Sequence, residues 1–402
     1  MLPRSPYSQA AAWLLLALHL LALSWFALAN PHYTWDLVPY VAATVAPAAG
    51  DPATAHETTY GLLLRSLDAA QFNALINGEH AAAVHASPEN LASQLDMYRI
   101  KPLYVAMLRG LAAAGANPVN AIIWLSLVPG LLICVVLFLW LRGLTGPVQA
   151  ALVVILFSIS ARLLDTSRIP TPDNLSALAV FAGAFFLLAR RWAAAGTICL
   201  CLSVWIRGGN IVFAGPLFLL LCWNHCFRTK SPRSREFRWC GAGLAFSALS
   251  CIGIGAAFDY DWWRLFHHTF IEPQSNLDAF DEPFSLSQYL DALKRSFEQL
   301  LALQPVGVWI PTNLPLFLLL WLFASRDGWI NGFNSLIRPD GPVDIEQVNL
   351  LGLIVIIGFL LLFPHIASLD RFFTAAYAIA TICAVHTLQI EREDRDETRV
   401  PG

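Results

Sequence analysis

The feature that most constrains this chain is the repetition of long apolar runs. The first, AAAWLLLALHLLALSWFALA at 10–29, carries no Asp, Glu, Lys or Arg. Others follow at 120–141, 148–164, 174–189, 193–206, 210–226, 239–258, 306–324, 348–366 and 372–389. A bilayer core about 30 Å thick takes about 17–25 residues of helix, and within it every backbone N–H and C=O must find a partner inside the segment. The runs are continuous rather than alternating, which excludes an outer-membrane barrel. With only 13% charged residues and a mean hydropathy of +0.57, the expectation is an all-α polytopic membrane protein with ten transmembrane helices in a single domain, 1–402.

The apolar run at 10–29 is longer than the roughly 7–15 residues of a signal-peptide core, so it is read as an uncleaved first span despite Ala27-Leu28-Ala29. Residues 102–115, PLYVAMLRGLAAAG, are short and interrupted by Arg109, as an amphipathic helix lying in the interface would be. Parity supports that choice. With 102–115 interfacial, the basic linker RTKSPRSREFR (228–238) falls inside, as do Arg142, Arg190, Arg191, Arg326, Arg338 and the tail at 390–402. Short basic linkers stay cytoplasmic. Both termini are then cytoplasmic, and two long polar loops, 30–119 and 259–305, face outward with the shorter turns DTSRIPTPDN, Arg207–Asn210 and HIASLDRFF.

The net charge of −3 offers nothing to nucleic acid. All eight cysteines lie in or beside apolar runs and read as small packing residues rather than a disulfide or metal framework. The halves show no matching broken helices, which weakens a transporter reading, and mid-span ionisable residues are few, His19 being the main one. No phosphate-cradling glycine loop, HExxH or Gly-x-Ser-x-Gly is present. Any chemistry must be built from outward loops on a helical scaffold.

Five stretches offer such groups. In HYTWDLVPYVAAT, Asp36 stands near the start of a short helix, where the helix N-terminus favours it. Shielded by Tyr33, Trp35 and Tyr40, it also suits general-base work. In MYRIKPLYVAML, Arg99 and Lys101 precede Pro102, a good first helical residue; they are either phosphate ligands or snorkelling anchors. In RIPTPDNLSALAVF, Asp173 reads as the N-cap of the following span, with Arg168 an outward cation. DYDWWRLFHHTF holds Asp259, Asp261, Arg264, His267 and His268 among aromatics that suit a membrane-interface belt. A divalent metal could use these groups, but D-x-D…H-H matches no strong ligand spacing, so no cofactor is assigned. In SLDRFF, Arg371 opens the last span, free for a phosphate or paired with Asp370.

In order and position these motifs resemble the GT-C superfamily of membrane glycosyltransferases, the group of protein O-mannosyltransferases and lipid A aminoarabinose transferases. An acid follows the first span (YTWDLVPY), a basic-Pro-Leu-Tyr element opens an interfacial helix (RIKPLYVAML), Pro-Asp heads a span (TPDNLSAL), and Arg-aromatic heads a late span (SLDRFF). The likeness covers about 10–390. It departs where the family has an acidic pair after the first span and Asp36 stands alone, and where the family's Arg-Tyr is Arg-Phe. The resemblance implies an inverting glycosyltransferase, and the Ala/Leu-rich composition suggests the bacterial inner membrane. Such an enzyme would move a sugar from a polyprenyl-phosphate donor to a hydroxyl on a lipid, glycan or protein acceptor. Asp36 would be the base; Arg99, Lys101 and Arg371, assisted by Arg168, would hold the leaving phosphate; Tyr104, His267 and His268 are further candidate substrate contacts. The alternatives are a transporter or flippase and a non-catalytic membrane assembly subunit.

Overall fold

The computed structural model describes residues 6–227, 233–259, 261–302, 345–364 and 369–397. The expected span 306–324, Arg326, Arg338 and the centre of the basic linker lie outside them. Among the described residues the chain is helical, without strands. The first apolar run is α1 (Pro6–Ala29). The 30–119 segment folds into six helices: α2 (Leu37–Ala49), α3 (Pro52–Ser66), α4 (Ala69–Ile76), α5 (Glu79–Ala86), α6 (Pro88–Arg99) and α7 (Pro102–Ala113). Then come α8 (Pro118–Leu144), α9 (Pro147–Ser160), the single turn α10 (Leu163–Thr166), α11 (Asp173–Ala184) with a π turn at Phe185–Ala189, α12 (Ala193–Ile206), α13 (Ile211–Phe227) and α14 (Arg235–Ala257). The second polar loop carries α15 (Trp262–Phe270) and α16 (Leu286–Ala302), and the chain closes with α17 (Ile345–Leu362) and α18 (Leu369–Glu397).

Five segments are long and apolar enough to cross a membrane: Pro6–Ala29, Pro118–Leu144, Gly208–Phe227, Arg235–Ala257 and Arg371–Gln389. This is a multi-pass helical membrane protein. Four other expected spans are present as shorter apolar helices: Pro147–Ser160, Asp173–Ala189, Ala193–Ile206 and Gln347–Leu362. The apolar run 148–164 is cut because Arg162 takes a left-handed backbone (φ +53) and turns the chain after Ser160. Fourteen residues of α9 rise only about 21 Å.

Among the described residues the helices build two large cores, beside three smaller clusters. In one, α1, α8, α9, α11, α12, α13, α17 and α18 interdigitate around Phe138, Phe181, Phe218 and Leu217. Glycines let backbones approach where these helices cross. A Cβ on Gly183 would stand 3.2 Å from the Gly196 carbonyl oxygen, and one on Gly196 would stand 2.9 Å from that of Gly183. This is the small-residue contact favoured between membrane helices.

The second core belongs to the 30–119 segment. Leu37, Tyr40, Val41, Leu63, Leu91, Leu95, Tyr104 and Leu108 pack with Val119 and Ile122 of α8. The segment is thus a helical cap seated on the start of α8 rather than an open loop. One detail ties it together. Pro47 sits inside α2 and has no N–H for the carbonyl four residues before it. That carbonyl, Ala43 O, instead accepts two hydrogen bonds from Arg109 of α7, from Nε at 3.1 Å and Nη2 at 2.9 Å. The charge that interrupts the apolar run of α7 therefore repairs the break that proline makes in α2. Arg109→Met should strand this buried acceptor and cost about 1–3 kcal/mol, read as a lowered thermal midpoint of the purified protein in detergent; an unchanged midpoint would remove the repair role.

Candidate functional site

The site forms where the ends of α11, α12 and α18 meet the first residues of α2. Asp36 occupies the N-cap position of α2, yet its side chain makes no capping hydrogen bond. The Tyr98 hydroxyl donates to its Oδ1 at 3.1 Å, and Arg371 Nη1 stands 3.7 Å from its Oδ2. Both oxygens thus turn toward side chains distant in sequence. The same guanidinium reaches Asp173: Arg371 Nε lies 3.5 Å from Asp173 Oδ2.

Asp173 is the acid on which these elements converge. The expectation of an N-cap fails: it is the first residue of α11, Pro172 holds the cap position, and only 4% of Asp173 is exposed. Its carboxylate accepts from the Thr171 hydroxyl at 2.7 Å and pairs with Arg207 as well as Arg371. The turn that carries it is fixed to α8. Ser126 Oγ donates to Thr171 O at 2.9 Å, and Asn174 Nδ2 donates to Ser126 O at 3.0 Å and to Ser167 Oγ at 3.2 Å. Gly130 permits this approach, since a Cβ there would come within 2.9 Å of Asn174 Nδ2. The turn carrying Arg207 is fixed similarly, by Asn210 Nδ2 donating to Ser176 Oγ at 2.7 Å and Ser203 O at 2.8 Å. Both guanidiniums then stack on one ring, with Phe372 4.0 Å from Arg207 Cζ and 4.8 Å from Arg371 Cζ.

Lys101 completes the charges. Its ammonium rests over the rings of Tyr40 (5.1 Å) and Tyr98 (4.8 Å), a cation–π seat, and makes no ion pair among the described residues. Burial pushes its pKa down to about 8, against the pull of Asp36. Tyr104, packed edge-on to Tyr40 at 4.9 Å, is fully buried, and its hydroxyl has no hydrogen-bond partner among the described residues. Buried donors left in this state favour an incoming acceptor.

Beside Arg207 and Arg371 opens a narrow cleft of about 50 Å³. Asp173 and the two arginines form its polar end; Val180, Phe213, Val355, Phe359 and Phe373 of α11, α13, α17 and α18 form apolar walls. The cleft thus sets a cationic end beside apolar side chains.

Of the expected residues, Asp36, Lys101, Tyr104 and Arg371 gather here, and four do not. Arg99 pairs with Asp96 at 3.3 Å, on the turn of α6 preceding it. Arg168 is engaged by Asp165 at 2.9 Å and donates to Asn30 O at 3.3 Å, so it ties α1 to the 165–170 turn. His267 is buried against Glu282 at 3.1 Å. His268 accepts from Gln274 N at 2.9 Å and sits 5.2 Å from the His80 ring; burial and the neighbouring His80 push its pKa down to about 4. The acids upstream are engaged too, Asp261 capping α15 through Trp263 N and Asp259 beside Arg264. The D-x-D…H-H groups are therefore turned to separate partners, and among the described residues no three His, Cys, Asp or Glu stand where they could share a metal ion. Sequence reasoning missed Arg207, read only as part of an outward turn, and Tyr98. The available signal for Arg207 was a guanidinium between two apolar runs, which membrane energetics tolerates only with a partner.

Two outcomes test this arrangement. Asp173→Asn leaves Arg207 and Arg371 without their shared acid and should cost about 3 kcal/mol, the low end for breaking a buried pair because both guanidiniums keep some solvent contact; thermal unfolding in detergent reads it. For Lys101, a folded pKa near 8 means the charged form dominates at pH 7 and is mostly lost by pH 9. An anion seated on Lys101 should then bind about tenfold more weakly at pH 9 than at pH 7, relative to the same ratio in Lys101→Met. A fluorescent lipid phosphate titrated at the two pH values measures it.

Comparison with protein-family models, curated proteins and solved structures finds no match to this chain.

Proposed function

We propose that the chain is an inverting glycosyltransferase that moves a sugar from a polyprenyl-phosphate donor to an acceptor hydroxyl on the outer side of the bacterial inner membrane. It would have ten spans and both termini in the cytoplasm. The observation that carries this reading is the meeting of Asp36 with Arg371 at 3.7 Å, where Arg371 and Arg207 also form the polar end of a cleft walled by span residues. A carboxylate, two guanidiniums and a narrow apolar-walled cleft adjoin at one end of the bundle.

The roles follow from the placement. The prenyl chain lies between α11, α13, α17 and α18, with its phosphate on Arg371 and Arg207. Lys101 adds a third cation and the Tyr104 hydroxyl a donor. The acceptor hydroxyl approaches from the water side, and Asp36 takes its proton as the oxygen attacks the anomeric carbon. The bond from that carbon to the phosphate oxygen breaks from the opposite face, so configuration inverts. The electron pair stays on the lipid phosphate, where preplaced cations lower the barrier. Asp36, Asp173, Arg207 and Arg371 meet at one end of the bundle, in keeping with the ten-span arrangement with an interfacial 102–115, and the basic linkers make that end the outward one in this reading.

Transfer of label from a radiolabelled polyprenyl-phosphate sugar by membranes carrying the protein tests the reading. Asp36→Asn should reduce the rate by about 10²–10⁴ while the variant still binds polyprenyl phosphate. Wild-type transfer in that variant would remove Asp36 as base; translocation of the lipid without transfer would replace the enzyme with a flippase.

A further inference from the structure

We infer that Tyr98 is the positioning residue for Asp36, holding the carboxylate toward the acceptor while the cations hold the phosphate. This rests on the proposed role of Asp36 as base and adds a residue that neither the motifs nor the resemblance singled out.

The argument starts from what Asp36 is attached to. Its Oδ2 faces Arg371, a group with a second carboxylate, Asp173, to turn to. When an anion occupies Arg371, that contact is the one that loosens. Its Oδ1 is held by the Tyr98 hydroxyl at 3.1 Å, a neutral donor that an incoming phosphate cannot recruit without breaking the pair. Burial, then Asp36 itself, keeps the Tyr98 phenol pKa well above its ordinary value, so the hydroxyl stays protonated and donating throughout the working range.

The arm that carries Tyr98 is rigid. Tyr98 is 7% exposed and packs edge-on against Tyr40 at 4.9 Å, with ring planes at 90°. Its helix, α6, is braced by the second polar loop. Leu277 N donates to Ser93 Oγ at 3.0 Å, and Gln94 Nε2 donates to Gln274 O at 3.2 Å and Ser275 O at 3.1 Å. The same ring carries the Lys101 ammonium on its face at 4.8 Å. One side chain thus fixes the distance between the proton acceptor and a phosphate-binding cation, the spacing on which in-line displacement depends.

Tyr98→Phe separates these duties, because it deletes the hydroxyl and leaves the ring against Tyr40 and beneath Lys101. With one hydrogen bond to a charged acceptor gone, kcat for transfer should fall about ten- to hundredfold, with KM for the polyprenyl-phosphate sugar within about twofold. Tyr98→Ala, which also removes the ring, should weaken polyprenyl phosphate binding as well. A second readout needs no transfer: modification of Asp36 by a lipophilic carbodiimide, mapped by mass spectrometry on the intact chain. It should run several-fold faster in Tyr98→Phe than in wild type and be absent from Asp36→Asn. An unchanged labelling rate overturns the positioning role whatever the transfer assay shows, and so does a loss confined to KM. Absence of transfer in the wild type, with labelling faster in Tyr98→Phe, would instead overturn the glycosyltransferase reading and leave the Tyr98–Asp36 linkage standing.

Discussion

A carboxylate held 4% exposed at the end of a helix bundle is costly unless cations come with it, and Asp173 draws in two. Arg207 arrives from the end of α12 and Arg371 from the start of α18. Neither helix could slide along α11 or rotate away without leaving a charge behind. Because Arg371 also faces Asp36, the same exchange of charge anchors the cap of helices α2–α7 to the bundle. The ion network is thus both the lock between cap and bundle and the polar end of the cleft.

The cap supplies the opposite kind of order. Its core is apolar and aromatic, with Tyr40, Tyr98 and Tyr104 meeting edge to face, and one polar defect is repaired across it, where Arg109 reaches the gap at Pro47. Three groups at the site lack such repair among the described residues: an ammonium seated on ring faces, a buried phenol without an acceptor and a guanidinium shared between two acids. A folded protein leaves such groups few, and here they adjoin one another.

Much of the bundle was readable from residues alone, because apolar length is a direct statement about the solvent around a helix. The expected spans at 10–29, 120–141, 239–258 and 372–389 correspond to helices long enough to cross. Asp36 at the head of α2 and Pro102 at the start of α7 were also readable, since each depends on neighbours a few residues away. Asp173 shows where such reasoning ends. A Pro-Asp before an apolar run looks like a cap, and local propensity cannot reveal two arginines approaching from 34 and 198 residues further along the chain. Arg99 and Arg168 failed for the converse reason, since each has an acid three residues earlier that takes up its charge. The His-His pair was separated by helical geometry, which turned neighbouring imidazoles to Glu282 and to His80.

The sequence by itself determined the solvent: a chain with these apolar runs must be a multi-pass helical membrane protein, because each backbone polar group must be satisfied within its own segment. It also determined which helix ends would carry charge. Which charges meet was decided only by the tertiary structure. Pairing depends on helix ends brought together by close glycine crossings and buried hydrogen bonds, and those contacts join residues whose separation along the chain carries no trace of their proximity.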